Sequence, residues 1–359
     1  MITGMERLVA AIKGEASDRI PIFCNLIDQG AIELGMSPKE YFSRGEYVAE
    51  AQLKMLRKYG HDNVWSLFYV GKEAQLVGRT KILYAADGPP NVEDFVIRAY
   101  DDIHNLEVPQ DVSTHPAFEE SAKCMQILKR EVGGKNPICA YVTATMTLPA
   151  ILMGMDQWME LLFFGPPNLR EELLVKCHEL FVKEVAAYRK AGADVLIYSN
   201  PFGSTDTVPF KYFVEHSLEW IERDIGAVGP EGLVYYSGMA AINEVIDIVL
   251  ERTGIGVYYL SNLDNVAEGK RIVAGRGLTC GVINDIALID WTEDEIRNEV
   301  RRIIGAGMPG GKFLFGTAVM PRAIPEKNIR AMLEAAYRFG SYENTEETLR
   351  NRASTQVSV

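Results

Sequence analysis

Positive charge is scarce in this chain. Its 37 Lys and Arg residues face 49 Asp and Glu, a formal net charge of −12 at pH 7. Nucleic-acid binding rests on Lys and Arg neutralising phosphate, so a polyanion partner is disfavoured. An anionic membrane surface is disfavoured for the same reason. Long apolar runs are missing too. No stretch reaches the roughly eighteen apolar residues that a membrane span needs, so none is expected. The opening segment, Met1 to Glu15, carries charges throughout and has neither an apolar h-region nor a small-residue cleavage site. A signal peptide is therefore not expected. Cysteine is sparse: Cys24, Cys124, Cys139, Cys177 and Cys280 are scattered, odd in number and never in CxxC spacing. That suits a reducing compartment, and a cytoplasmic location is the expectation.

Familiar catalytic signatures are also missing. There is no Gly-rich phosphate loop, no HExxH, no GxSxG and no CxxC pair. The run Gly277 to Gly281 is too short for a dinucleotide fingerprint. Of the five histidines, His178 falls inside a predicted helix as a solvated or packed side chain. His216 falls early in the helix after the fourth predicted strand, which can lean over a barrel mouth. It reads first as a surface or packing residue and is kept as a binding candidate.

What the chain does have is rhythm. Short apolar, β-rich runs near 20–25, 63–69, 138–144, 195–200, 233–237, 257–260, 278–283 and 312–317 alternate with helical patterns. Most are continuously apolar, as parallel strands covered on both faces should be. Helices are predicted over 168–191, 241–253 and 293–306, with Gly192, Gly254 and Gly307 placed for left-handed C-terminal caps. Thr292 to Glu295 opens one of them as a capping box. The 359 residues fit a single α/β barrel. The expected fold is therefore a (β/α)₈ TIM-type barrel over 1–342, with an open doubly wound sheet as the competitor. Residues 70–135 break the rhythm and are expected to form an inserted excursion, with a turn at Asp87 to Pro90; residues 343–359 are a polar tail expected to fray.

A barrel carries its reactive groups at the C-terminal strand ends. That rule selects Asn25 and Asp28 after the first strand, Tyr69, Thr143, Thr145 and Asn200 after the next three, and Tyr235, Tyr236 and Ser237 at the fifth. It continues with Asn262 and Asp264, then Asn284 and Asp285, then Thr317. The segment Met146 to Phe164 adds Met153, Met155, Trp158, Met159 and Phe163, which read first as core and second as the wall of an apolar pocket.

The order of segments resembles the uroporphyrinogen decarboxylase and cobamide-dependent methyltransferase superfamily. The carriers are Glu6 to Glu15 with Asp18 to Ile22, Gly71 to Pro90, Leu148 to Gly154, Ala191 to Asp194 and Ser199 to Pro201. Gly281 to Asn284, Pro325 to Met332 and Phe339 to Tyr342 complete the set across nearly the whole chain. The resemblance implies a barrel enzyme, and two branches are weighed against it. The decarboxylase holds a polycarboxylate porphyrinogen with arginines; its Arg-rich loop would fall on Asn25 to Ala31, which has none and carries Asp28. The branch that methylates thiols carries zinc. Its ligands would fall on Tyr235 to Gly238 and near Thr317, where no Cys or His stands, so no metal and no tightly bound cofactor is expected.

What remains of the resemblance is a corrinoid-dependent methyltransferase. It implies transfer of methyl from a small donor, a methoxylated aromatic undergoing O-demethylation, to the Co(I) of a separate corrinoid protein. In that reading Tyr235, Tyr236 or Ser237 assists the departing oxygen. Asn25, Asp28, Asn200, His216, Asn284, Asp285 and Thr317 line the substrate site. A decarboxylase of atypical clamp and a non-catalytic small-molecule barrel stay open as alternatives, and so does a homodimer.

Overall fold

The computed structural model describes residues 2–85 and 89–342. Ten strands follow in chain order: β1 Ile22–Asn25, β2 Val64–Trp65, β3 Lys81–Leu83, β4 Asn91–Asp94, β5 Ile138–Thr143, β6 Val195–Ser199, β7 Leu233–Tyr236, β8 Val257–Tyr259, β9 Leu278–Ile283 and β10 Phe313–Val319. Eight of them form one parallel sheet in the order β1-β10-β9-β8-β7-β6-β5-β2. The two end strands meet through single bonds. The Asp62 N–H donates to the Ile22 carbonyl at 2.9 Å, and the Cys24 N–H donates to Asn63 Oδ1 at 2.9 Å. The sheet thus curls into the expected barrel, with helices around it.

The seam is held from below. Asp62 is buried and accepts from the Ile22 N–H at 2.7 Å while pairing with Arg7 and Arg19 at 2.9 and 2.5 Å. Arg7 belongs to the helix Gly4–Lys13, capped by Thr3 and Glu6. Leu8 and Ile12 of that helix share a small apolar cavity with Phe23, Ile197, Val234 and Leu314, so these strand residues point inward at the barrel floor.

The helix predictions hold with two differences. The helices Pro167–Ala191 and Ile246–Thr253 end on Gly192 and Gly254 with φ of 105° and 72°, and the Thr292–Glu295 capping box is formed. The helix predicted over 241–253 starts only at Ile246, because the Asp264 carboxylate accepts from the Ile242 and Asn243 N–H groups and holds that segment as a loop. Gly307 is not a left-handed cap. It is the last residue of the helix Glu293–Gly307, and a Cβ there would run into the Phe313 ring. Its reason is close approach of helix to strand.

The excursion after β2 contains the antiparallel hairpin β3–β4 and a series of 3₁₀ turns. Its last part, the helix Glu119–Val132, packs on the helices Gly45–Tyr59 and Pro167–Ala191 as a member of the barrel's outer layer. Asp87 and Gly88 of the predicted turn, and the tail 343–359, lie outside the described residues. Among those described, no helix is long and apolar enough to cross a membrane.

Because Phe313 is fully buried, its ring has no room to move aside for a methyl. Gly307→Ala should therefore lower stability by about 1–3 kcal/mol, the scale of an overpacked core, despite the better helix propensity of alanine. Urea unfolding of both proteins measures this, and an unchanged midpoint would contradict the packing reason.

Candidate active site at the barrel mouth

Neighbouring parallel strands run in register, and residues side by side face the same way. Tyr198, Tyr235, Tyr258 and Thr279 form one such row across β6 to β9. Tyr198 meets Phe181 of the helix Pro167–Ala191 edge-on at 5.5 Å, and its hydroxyl donates to Asp224 of the helix Leu218–Val228 at 2.8 Å. This row therefore faces the helices. Tyr198 stacks on Tyr235 at 6.1 Å, and Tyr235 meets Tyr258 at 5.9 Å.

The alternate residues face the barrel axis. Asn25 Nδ2 on β1 reaches past β2 to donate to the Tyr141 hydroxyl on β5 at 2.7 Å. Tyr141 stacks on Trp65 and Phe68 at 5.1 and 4.7 Å and meets Tyr236 at 6.1 Å. Tyr236 meets Tyr259 edge-on at 5.8 Å. The Tyr259 hydroxyl donates to the Thr317 carbonyl at 2.8 Å, a position left open because residue 316 is glycine. Asn25, Trp65, Tyr141, Tyr236 and Tyr259 make a mostly aromatic interior.

This geometry divides the fifth-strand trio Tyr235, Tyr236 and Ser237. Only Tyr236 joins the interior; Tyr235 is turned to the helix layer by the side-chain alternation of the strand. The Tyr235 hydroxyl lies beside Ser237 and Asn200, yet Tyr235 Oη, Ser237 Oγ and Asn200 Nδ2 are buried without a hydrogen-bond partner among the described residues. Asn200 Oδ1 accepts from Thr147 at 3.4 Å, which ties it to the loop after β5. Asn284 Oδ1 caps the turn at the Ala287 N–H, and Thr317 Oγ1 accepts the Asn25 N–H across the β1–β10 pair. Both are used by the backbone. His216 is exposed against Tyr212 at 4.3 Å and is not brought to the interior group. His178 is no idle surface group: its Nδ1 lies 2.7 Å from Asp224, which also accepts from the Thr145 hydroxyl and N–H. Of the Met and Phe segment, Met146, Met153 and Trp158 are core, while Phe164 is 87% exposed.

Asp28, Asp285 and Glu73 are among the buried carboxylates at this end of the barrel. Burial pushes Asp285 up to about 6, against a partial opposite effect of its own and the Ile286 N–H groups. Burial also raises the Tyr236 phenol, and the nearby Asp285 charge raises it further, so it stays protonated at neutral pH. Burial pushes Asp28 up to about 7, with Arg322 of the loop after β10 pulling the other way. Glu73 accepts from the Thr143 hydroxyl and is raised by burial. Two acids poised near neutrality beside neutral hydroxyl donors are an arrangement suited to proton transfer. Tyr141, Tyr259 and Glu73 escaped the strand-end rule. Tyr141 lies one alternation step below Thr143, the end of β5, and Tyr259 is the last residue of β8, one residue beyond the Tyr235–Tyr258 pair as Tyr236 is on β7.

The family model described as uroporphyrinogen decarboxylase (URO-D) matches residues 3–339. The chain belongs to this family. Solved structures share the barrel, two of them as follows. A methyltransferase from Methanosarcina mazei superposes with a TM-score of 0.80 at 19% identity, over 94% of this chain and 99% of that one. A B12-independent methionine synthase from Shewanella sp. W3-18-1 gives 0.56 at 15% identity, over 87% and 91%. At such identities these are likenesses of fold. Comparison with curated proteins finds no match.

Asp28 has a consequence for stability. Its folded value of about 7 lies above the ordinary 3.8, so the folded state holds the proton more tightly and stability falls as pH rises through that window. Asp28→Asn, which cannot ionise, should raise Tm by a few degrees at pH 8 and leave it nearly unchanged at pH 4. Calorimetry at both pH values checks this; an equal shift at both would show that the carboxyl is not held protonated by the fold.

Proposed function

We propose that the chain is a methyltransferase of the URO-D family that demethylates a methoxylated aromatic and passes the methyl to the Co(I) of a corrinoid on a separate protein. The observation that carries the reading is the interior itself: aromatic walls from Trp65, Tyr141, Tyr236 and Tyr259, with neutral hydroxyl and amide groups and acids near neutrality. Such a lining suits an uncharged arene. It does not suit a polycarboxylate, since Asn25 to Ala31 supplies no arginine and the nearby Arg322 already faces Asp28. The fold likeness to a methyltransferase supports the same direction.

In this reading the ring of the donor lies against Tyr141 and Tyr259, with its ether oxygen at Tyr236. As the methyl–oxygen bond breaks, the methyl carbon bonds to Co(I), whose electron pair forms the new bond, and the aryl oxygen keeps the pair from the old one. The Tyr236 phenol donates a hydrogen bond to that oxygen. Asp285, in its protonated form, supplies the proton that turns the phenolate into a phenol. Zinc has no place in this scheme. At the positions where thiol-methylating relatives would hold it stand Tyr235, turned to the helices, Ser237, and Thr317, whose Oγ1 takes the Asn25 N–H. Such hydroxyls do not suit the metal.

Incubation with reduced corrinoid protein and a methoxyarene, following Co(I) to methyl-Co(III) by absorbance, tests the proposal. Tyr236→Phe should slow transfer about a hundred-fold or more with folding intact. Tyr235→Phe removes a buried hydroxyl that has no hydrogen-bond partner among the described residues, so it should be nearly neutral in both rate and stability. Equal rates for both variants would remove Tyr236 from the chemistry. Methyl-Co(III) formation from no methoxyarene, together with decarboxylation of uroporphyrinogen, would overturn the reading as a whole.

A further inference from the structure

At the opposite end of the barrel, two αβ loops lean on each other. One is Ala274 to Gly277, leading from the helix Val266–Val273 into β9; the other is Pro309 to Gly311, leading into β10. Lys270 Nζ crosses to the Gly311 carbonyl, and Lys312 Nζ crosses back to the Gly275 carbonyl at 2.6 Å. Between them lies a half-open cavity of about 90 Å³, lined by both lysines, by Gly275, Gly277, Pro309 and Gly310, and by Thr279. That is several times the room one water needs.

Two independent features point to a ligand. In a chain with a net charge of −12, neither lysine forms an ion pair among the described residues. Each ammonium carries three donors and uses one on a carbonyl. Burial holds Lys270 below the usual ammonium value. Second, Thr279 is one of the residues lining the cavity; it is 1% exposed, and its Oγ1 has no hydrogen-bond partner among the described residues. A buried hydroxyl left unpaired loses its water without replacement, so an acceptor is expected to complete it. The glycines at 275, 277 and 310 add no side chain to crowd the space.

We propose that this cavity is a binding site for a tetrahedral oxyanion, either inorganic phosphate or the phosphate group of a small monoester, held by Lys270, Lys312 and Thr279. The anion supplies the missing negative charge to both ammoniums and an acceptor to the threonine hydroxyl. It also ties the two loops that set the starts of β9 and β10, so occupancy stabilises the barrel from its floor, far from the mouth. This site does not depend on the methyltransferase reading.

Thermal unfolding of the full chain, with inorganic phosphate titrated against chloride at matched ionic strength, is the test. Wild type should show a saturable rise in Tm with phosphate. Lys270→Gln and Lys312→Gln should each weaken the apparent affinity about ten-fold, the scale of one charge-assisted hydrogen bond. Should either lysine variant fail to fold, Thr279→Val decides. It should be at least as stable as wild type in chloride, because an unpaired hydroxyl is gone, and should gain less from phosphate. A second arm replaces phosphate with glycerol phosphate; a response there, with or without one to phosphate, also supports the site. No saturable response to either anion, or the same response in all variants, overturns it.

Discussion

Side chains on neighbouring parallel strands in register must face the same way, and that constraint sorts the whole barrel. Once β5 to β9 are paired as they are, Tyr198, Tyr235 and Tyr258 go together to the helices while Tyr141, Tyr236 and Tyr259 go together to the axis. A slip of one residue would exchange the two rows. The consecutive tyrosines of β7 thus end in unlike surroundings. One is packing in the outer layer; the other touches two interior rings and feels the Asp285 charge.

The interior hydroxyls and amide are neutral and are held by hydrogen bonds. Asn25 ties its amide to Tyr141, Tyr259 ties its hydroxyl to the Thr317 carbonyl, and Glu73 accepts from Thr143. Burial works on the acids in one direction, toward the neutral form, because taking a carboxylate out of water is costly. For Asp285 the backbone N–H groups at its own position resist that push, and for Asp28 the opposing group is Arg322. The result is a mouth whose acids change state near neutral pH.

The barrel's other end works by the opposite means. Asp62 there is also fully buried, but two guanidiniums and the Ile22 N–H compensate it. It joins the first helix, the segment entering β1 and the start of β2 in one knot, at the seam where the sheet has least backbone pairing. Closure of the barrel and ionisation of the mouth are therefore separate electrostatic problems, solved at separate ends of the strands.

Residue order alone determined the fold class and much of its punctuation. Continuous apolar runs, the Thr292–Glu295 box and the glycines after 191 and 253 act within a few residues of themselves, so local pattern suffices to read them. The strand ends also brought Asn25, Asp28, Tyr236 and Asp285 into view, since a barrel places its loops at one end. Tertiary structure decided the rest. It turned Gly307 from a supposed cap into a contact with Phe313 and delayed a helix to Ile246 because Asp264 claims two N–H groups from a distant loop. It set His216 on the surface, gave Asn284 and Thr317 to the backbone, and brought Tyr141 and Tyr259 beside Tyr236. The facings depend on which strand lies beside which, and the Thr317 bond to the Asn25 N–H joins groups 292 residues apart. Facing and partner are properties of the closed barrel, not of any one segment.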